Sequence, residues 1–378
     1  MDGSRPTTAG VPGIVSSTLT WGKIYNTNLG IDLGMFNNRL NMTFEYFIRR
    51  TKDMVGPAAE VGAILGTALP NTNNDELKNK GWELQANWRD NIGKVNYNIG
   101  FNLSDNRAKV ISYPNASKAL WDSNGNTLYY NGMTIGEIWG YETEGIAQTD
   151  AQMTEWLASN DQSKIGSVWG AGDIMYRDLN GDGIVDKGNS TATDHGDLKK
   201  IGNSTPRLRF GLSLGADWKG FDSQMFFQGV MKRDLWLSGP MFWGADGGEW
   251  QSVGFDEHLD YFRPENTTSI FGANLNSYYP KAYLGDKGNK NKQTQTRYLQ
   301  NGAYMRMKNL QIGYTFPKAW MNKAKIEKLR IYVSGENLFT ISGIADMFDP
   351  EATAGNGFSN GKTYPLSKTI SFGLNITL

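Results

Sequence analysis

The sequence has no cysteine, no net charge, and no apolar run of the roughly 18 residues that a membrane-spanning helix needs. The lack of cysteine excludes disulfides and thiolate metal sites. Lys plus Arg and Asp plus Glu each total 38, so the charge balance does not indicate a nucleic-acid partner. A mean hydropathy of −0.49 still allows a transmembrane β-barrel, because barrel strands are apolar only at every second residue.

Groups suited to catalysis are also scarce. The two histidines, His195 and His258, lie in polar stretches without a cysteine or a nucleophile elbow nearby. Asp256 and Glu257 are adjacent, and neighbouring side chains of an extended chain point apart, so their spacing does not favour a glycosidase pair. The sequence has no glycine-rich phosphate-binding motif. We therefore expect no enzyme activity.

Glycine (45 residues) and aromatic residues (12%) are plentiful, and the apolar residues alternate with polar ones. The clearest alternation is in the last eleven residues, 368–378. The residues of its apolar parity are Ile370, Phe372, Leu374, Ile376 and Leu378. Strict alternation of this kind predicts a β-strand with one apolar and one polar face.

The same alternation occurs in nine segments of the chain. We predict strands at 24–33, 40–49, 80–89, 95–104, 207–217, 221–231, 303–316, 329–339 and 368–378. Their connections are alternately short and long, which is the layout of an antiparallel transmembrane β-barrel with short periplasmic turns and long extracellular loops. The polar parity carries Asn, Gln, Glu and Arg, which a water-filled or plugged lumen accepts. The alternative is a surface or secreted β-sandwich that binds carbohydrate.

Several short motifs, taken in order, resemble the C-terminal half of SusC/RagA-type TonB-dependent transporters. They are LTWGK at 19–23, TNLGIDLG at 27–34, FNNRL at 36–40, NKGWEL at 79–84, DLNGDG at 178–183, IGNSTP at 201–206, SGENL at 334–338 and YPLS at 364–367. The resemblance implies a barrel of about 22 strands with a plug. Residues 1–378 would then be the C-terminal portion of that barrel, without the plug and the N-terminal domains.

The resemblance also implies function and partners. It implies uptake of oligosaccharides or peptides across the outer membrane of a Gram-negative bacterium. The expected partners are outer-membrane lipid, a SusD-like surface lipoprotein, and the TonB complex, which would be contacted through the missing N-terminal part. The first residues of the chain contain no apolar signal-peptide segment, so an outer-membrane location requires a longer protein.

One motif has the spacing of a metal-binding loop. Asp178, Asn180 and Asp182 offer side-chain oxygens at alternate positions, Gly183 is sixth, Ile184 would offer its carbonyl, and Asp186 is ninth, as at the start of an EF-hand loop. Position twelve is Asn189 instead of glutamate, and no flanking helices are predicted. We expect either a calcium ion in the 178–186 loop or a metal-free turn rich in Asx residues.

Tryptophans are concentrated in the long connections, where their faces could stack on sugar rings. We single out Trp236, Trp243 and Trp250 as candidate substrate-binding residues. The alternative for each of them is packing of loop against loop or against the lipoprotein.

Overall fold

The computed structural model describes residues 16–58, 69–244, 254–283, 285–353 and 363–378. Its strands are β1 Lys23–Met35, β2 Leu40–Gly56, β3 Thr72–Ile92, β4 Val95–Ser112, β5 Glu137–Tyr141, β6 Thr143–Ile146, β7 Ile174–Tyr176, β8 Leu198–Asn203, β9 Arg207–Trp218, β10 Phe221–Lys232, β11 Asp234–Leu235, β12 Gln300–Thr315, β13 Lys328–Glu336, β14 Thr340–Gly343 and β15 Thr369–Thr377. Its helices are α1 Asp150–Leu157, α2 Pro240–Trp243 and α3 Lys318–Met321, with 3₁₀ turns at Asp256–Leu259, Gly285–Lys292 and Asn322–Ala324. No helix in these ranges is long and apolar enough to span a membrane.

All nine predicted strands form, and they join into one antiparallel sheet. Its order is β1-β2-β3-β4-β9-β10-β12-β13-β15, with β11 and β14 as short additions to β12. Within the described residues β1 and β15 are the two outer edges, so the sheet is an open arc and not a closed barrel. The nine strands do not divide into two stacked sheets, which argues against the sandwich alternative.

Three strands extend further than the alternation predicted, among them β4, which continues to Ser112 instead of ending at residue 104. β2 continues to Gly56 and β3 begins at Thr72, so the connection between them is shorter than expected from strands at 40–49 and 80–89. The part of β3 added before residue 80 is polar on both parities apart from Leu77. Alternation therefore ends there although the hydrogen-bonded ladder continues, because a hairpin that projects into water needs no apolar face.

The strand registers give the sheet two distinct faces. On the apolar face Phe44 lies opposite Leu84, and Leu84 lies opposite Leu103. On the polar face, the corresponding row runs from Asp32 through Thr43, Gln85 and Asn102 to Gly211. Because a slip of one residue would exchange the faces, the continuity of both rows shows that the register is the one that the alternation predicted.

The long connections fold over one side of the sheet and form a hydrophobic core of their own. Leu77 and Val110, which belong to the polar parity at the ends of β3 and β4, pack with Tyr130, Met133 and Tyr176 of the connections. This loop core therefore covers the polar side, and the apolar face of the sheet points away from it. That geometry agrees with a lumen on the polar side and lipid on the apolar side.

Candidate functional site

An aromatic cleft lies in the loop core beside α2. The local sequence Gly239-Pro-Met-Phe-Trp-Gly244 explains this single helical turn, since Pro240 is favoured at its first position and the glycines at both ends have positive φ of 85° and 70°. The turn places Trp243 at a cleft of about 350 Å³. The other aromatic residues of its wall are His258, Tyr261, Tyr279 and Tyr283. Clefts of this size hold small ligands.

Of the three predicted tryptophans, the structure brings two together. The ring centroids of Trp236 and Trp243 are 6.2 Å apart, and both rings pack partly buried on the loop core. Trp243 also meets Tyr298 edge-on at 4.8 Å. Trp250 lies outside the described residues. Trp243 therefore combines packing on one side with an open cleft on the other.

The tyrosines of the cleft were not predicted from the sequence. Burial raises the pKa of Tyr279 and, with the nearby Asp173 carboxylate, that of Tyr283. Both phenols therefore stay protonated at physiological pH. The Tyr279 phenol can donate a hydrogen bond to a ligand, whereas the Tyr283 phenol already donates to Asp173 Oδ2 at 3.2 Å. The Tyr278-Tyr279-Pro280 stretch has no alternation or helical period, so only its aromatic content could have marked it.

A buried ion pair holds one wall of the cleft in place. Lys290 Nζ lies 2.7 Å from Asp173 Oδ2, and their side chains are 4% and 0% exposed. The other carboxylate oxygen accepts a hydrogen bond of 2.8 Å from Asn291 Nδ2, and the Lys290 ammonium lies 4.7 Å from the centre of the Tyr283 ring. The pair therefore links β7 to Tyr283 and Asn291, both of which line the cleft.

The Asp-rich loop at 178–186 is a set of Asx turns. Asp178 accepts hydrogen bonds from the amides of Gly181 and Gly183, each at 2.7 Å, and Asp182 accepts one from the amide of Ile184 at 2.8 Å. Asn180 Nδ2 donates to Asp182 Oδ2 at 3.0 Å. Among the described residues, no three His, Cys, Asp or Glu side chains are grouped so as to hold a metal.

Asp197, which the motif did not include, anchors this loop. Its side chain is fully buried, and its Oδ1 accepts the amides of Leu179 and Asn180 at 2.7 and 3.3 Å. Its Oδ2 accepts the amide of Asp186 at 2.8 Å. A carboxylate with three amide donors would hold the loop without an ion, and that observation favours the metal-free alternative for its shape.

The calcium hypothesis stays a prediction. If Asp178, Asn180, Asp182, Ile184 and Asp186 bind calcium, titration calorimetry of the intact protein should give a Kd on the order of 10⁻⁴ to 10⁻³ M, the range of weak extracellular sites. The paired substitution Asp178→Asn and Asp182→Asn should abolish the heat of binding. A matched control is Asp122→Asn, since Asp122 forms another exposed Asx turn. Equal heats in both variants would contradict the hypothesis.

These features define the class of protein. The fold is the wall of a transmembrane β-barrel with a structured loop layer on its polar side, and that layer contains an aromatic cleft. The chain belongs to the family described as TonB dependent receptor-like, beta-barrel, whose model matches residues 3–338. Proteins of this family are outer-membrane receptors and transporters of Gram-negative bacteria, not enzymes.

Individual relatives agree with the family. The chain is 28% identical to TonB-dependent receptor P3 of Formosa agariphila over 96% of this chain and 34% of that protein. It is 20% identical to TonB-dependent receptor SusC of Bacteroides thetaiotaomicron over 97% of this chain and 33% of that protein. The chain thus spans about a third of the length of the curated relatives it matches.

A solved structure shows the same fold. The RagAB peptide importer in its closed-closed state superposes with a TM-score of 0.67 at 22% identity, over 95% of this chain and 36% of the other. At this level of identity the likeness concerns the fold alone.

Proposed function

We propose that residues 1–378 form the C-terminal part of the wall of an outer-membrane transporter that imports oligosaccharides or peptides. The observation that supports this proposal most is the two-faced sheet, which presents an apolar side to lipid and a polar side to a passage. In this proposal the plug and the segment that contacts the TonB complex belong to another part of a longer protein. The loop layer would sit above the passage on the extracellular side.

We further propose that a SusD-like surface lipoprotein closes over this loop layer. The support is indirect, since it comes from the likeness to SusC and to a structure described as a peptide importer. These two relatives also leave both substrate classes open. Oligosaccharides and peptides both have apolar faces that stack on aromatic rings and polar groups that accept hydrogen bonds.

Within the loop layer, the proposed contact with substrate is the cleft at Trp243. Its wall offers aromatic faces together with the protonated phenols of Tyr279 and Tyr283. Trp236 supports Trp243 from the side, and Trp250 keeps the role that its sequence position predicts. Stacking fixes the plane of the ligand, and the Tyr279 phenol then selects its hydroxyl or carbonyl groups.

Uptake of labelled oligosaccharides and peptides by cells that carry the intact transporter tests this function. Trp243→Ala should reduce uptake of the true substrate class by about two- to tenfold, the value of one aromatic contact. Trp243→Phe should retain most of it because a ring face remains. Trp121→Ala is a matched control, since Trp121 is a half-buried loop tryptophan away from the cleft. Unchanged uptake in Trp243→Ala would exclude the cleft, and no uptake by the intact protein would exclude the function.

A further inference from the structure

The apolar face of β1 to β4 ends in a dense group of cations, which we name the basic belt. Its members are Lys23, Arg50, Lys52, Lys78, Lys80, Arg107 and Lys109. All of them have the parity of the apolar face, because each lies an even number of residues from an apolar-face residue of its own strand. These reference residues are Ile31 on β1, Phe44 on β2, Leu84 on β3 and Leu103 on β4. The belt lies at the ends of the strands that lead into the long connections.

Cations face each other directly within this belt. In the strand registers Lys23 lies opposite Lys52, and Arg50 lies opposite Lys78. On the next pair of strands Lys109 lies opposite Lys78, and Arg107 lies opposite Lys80. Like charges placed directly across a strand pair destabilise a sheet. Four such pairs on one face are a local conflict, which natural proteins keep mainly at functional sites.

The chain itself neutralises only part of this charge. Lys23 pairs with Asp53 at 3.0 Å, and Arg50 pairs with Glu76. Another carboxylate of the region, Asp105, pairs with Arg207, which is outside the belt. Within the part of the chain that the structure describes, Lys78, Lys80, Arg107 and Lys109 form no ion pair. The remaining positive charge is therefore available to an external anion.

The position of the belt along the strands matches a membrane boundary. On β3 the outward residues change from Leu84 to Trp82 and then to Lys80 and Lys78, and on β2 they change from Phe44 to Tyr46, Ile48 and then Arg50. Aromatic residues followed by charge are the sequence of layers at a membrane–water interface. Asp90 and Lys80 are separated by ten residue steps along β3. At a rise of about 3.3 Å per step and a strand tilt of about 40°, these steps span about 25 Å of height, which is the thickness of the apolar band.

We propose that the basic belt binds the phosphate groups of anionic lipids in the leaflet on the long-loop side. The belt continues the surface that faces lipid, so a lipid headgroup is the anion that reaches it by lying beside the barrel. Arg107 also lines a cavity with Ile135 and Glu137 of the connections. Arginine suits phosphate through paired hydrogen bonds, and lysine suits it as a point charge. The proposal uses the membrane placement of the proposed function but is independent of its transport activity.

The test is lipid retention by the intact protein, purified in detergent and mixed with vesicles of phosphatidylcholine alone or with added phosphatidylglycerol. Native mass spectrometry counts the lipids that stay bound. The wild type should retain phosphatidylglycerol in preference to phosphatidylcholine. The triple variant Lys80→Gln, Arg107→Gln, Lys109→Gln should bind it on the order of 100-fold more weakly, since each cation near a membrane surface contributes about a factor of five.

A matched control removes the same charge from the other face. The variant Arg49→Gln, Arg89→Gln, Arg209→Gln changes polar-face cations of β2, β3 and β9 and should retain phosphatidylglycerol as the wild type does. Equal losses in both variants, or equal retention of both lipids by the wild type, would overturn the proposal. So would release of the lipid by millimolar inorganic phosphate, or a belt variant that keeps its lipid but loses an acidic protein partner.

If the belt variant fails to fold, the wild type alone decides. Its retention of phosphatidylglycerol should fall steeply as salt rises, because exposed charges are screened. Retention that does not change with salt would show that the contact is apolar and not made by the belt. Uptake measurements do not enter this test, so a failed transport function and a failed lipid site are distinguishable.

Discussion

Replacing Lys290 by methionine is expected to destabilise the loop core by about 3–5 kcal/mol, because the Asp173 carboxylate would stay buried without its cation. The Asp173 side chain is fully buried, so water cannot take the place of the ammonium group. Methionine keeps most of the apolar stem, and the loss is therefore mainly electrostatic. Hydrogen–deuterium exchange of the Ile174 amide, which donates to Asn291 Oδ1 at 3.0 Å, measures the effect in the intact protein.

Two further variants separate the ion pair from general damage. Lys287→Met changes an exposed lysine of the same 3₁₀ segment and should leave exchange unchanged. The double variant Asp173→Asn with Lys290→Met should recover much of the lost protection, since no charge is then left buried. If the Ile174 amide in the Lys290→Met variant exchanges as slowly as it does in the wild type, the ion pair contributes little to the stability of the loop core.

The sheet could be predicted from the sequence because each strand crosses one slab with lipid on one side. Contact with the hydrocarbon layer on one face makes apolar and polar residues alternate along each strand, as Phe44 and Glu45 or Phe101 and Asn102 do. At Lys78 and Lys80, β3 leaves the hydrocarbon layer and the residues around them are polar on both faces. The alternation therefore stops there, although the strand pairing continues. The nine strands and their order were therefore predicted correctly, while the outer ends of β2, β3 and β4 were not.

The loop layer could be predicted only in part, because its contacts join distant residues. Asp173 and Lys290 are 117 positions apart, and no local pattern marks either of them. The Asp178 motif identified a turn, but its anchor Asp197 lies beyond any fixed spacing. Trp243 was singled out as a loop tryptophan, whereas the partners that shape its cleft, Tyr279 and Tyr283, come from a later part of the connection. Packing between distant connections determines the ion pair, the loop anchor and the cleft, and the periodicity of the sequence carries no information about that packing.

The second large effect concerns the 378-residue chain expressed by itself, which is expected neither to close nor to transport. The nine strands of the main path are antiparallel neighbours, so the first and the ninth run in the same direction. Pairing β1 with β15 would create a parallel contact, whereas bacterial barrels are antiparallel with an even number of strands. In hydrocarbon each unpaired backbone group costs several kcal/mol, so an open arc is not stable there.

Expression of residues 1–378 in a strain that lacks the intact transporter measures this. We expect insoluble or protease-sensitive material, no shift in electrophoretic mobility on heating, and no growth on the oligosaccharides or peptides proposed as substrates. A monomeric, heat-modifiable species that restores uptake would show that the edges can be satisfied within this chain. If the edges instead pair between copies, aggregation will increase with protein concentration. Only the intact protein, as the control, would give both the mobility shift and growth, because closing this arc requires strands that pair with β1 and β15.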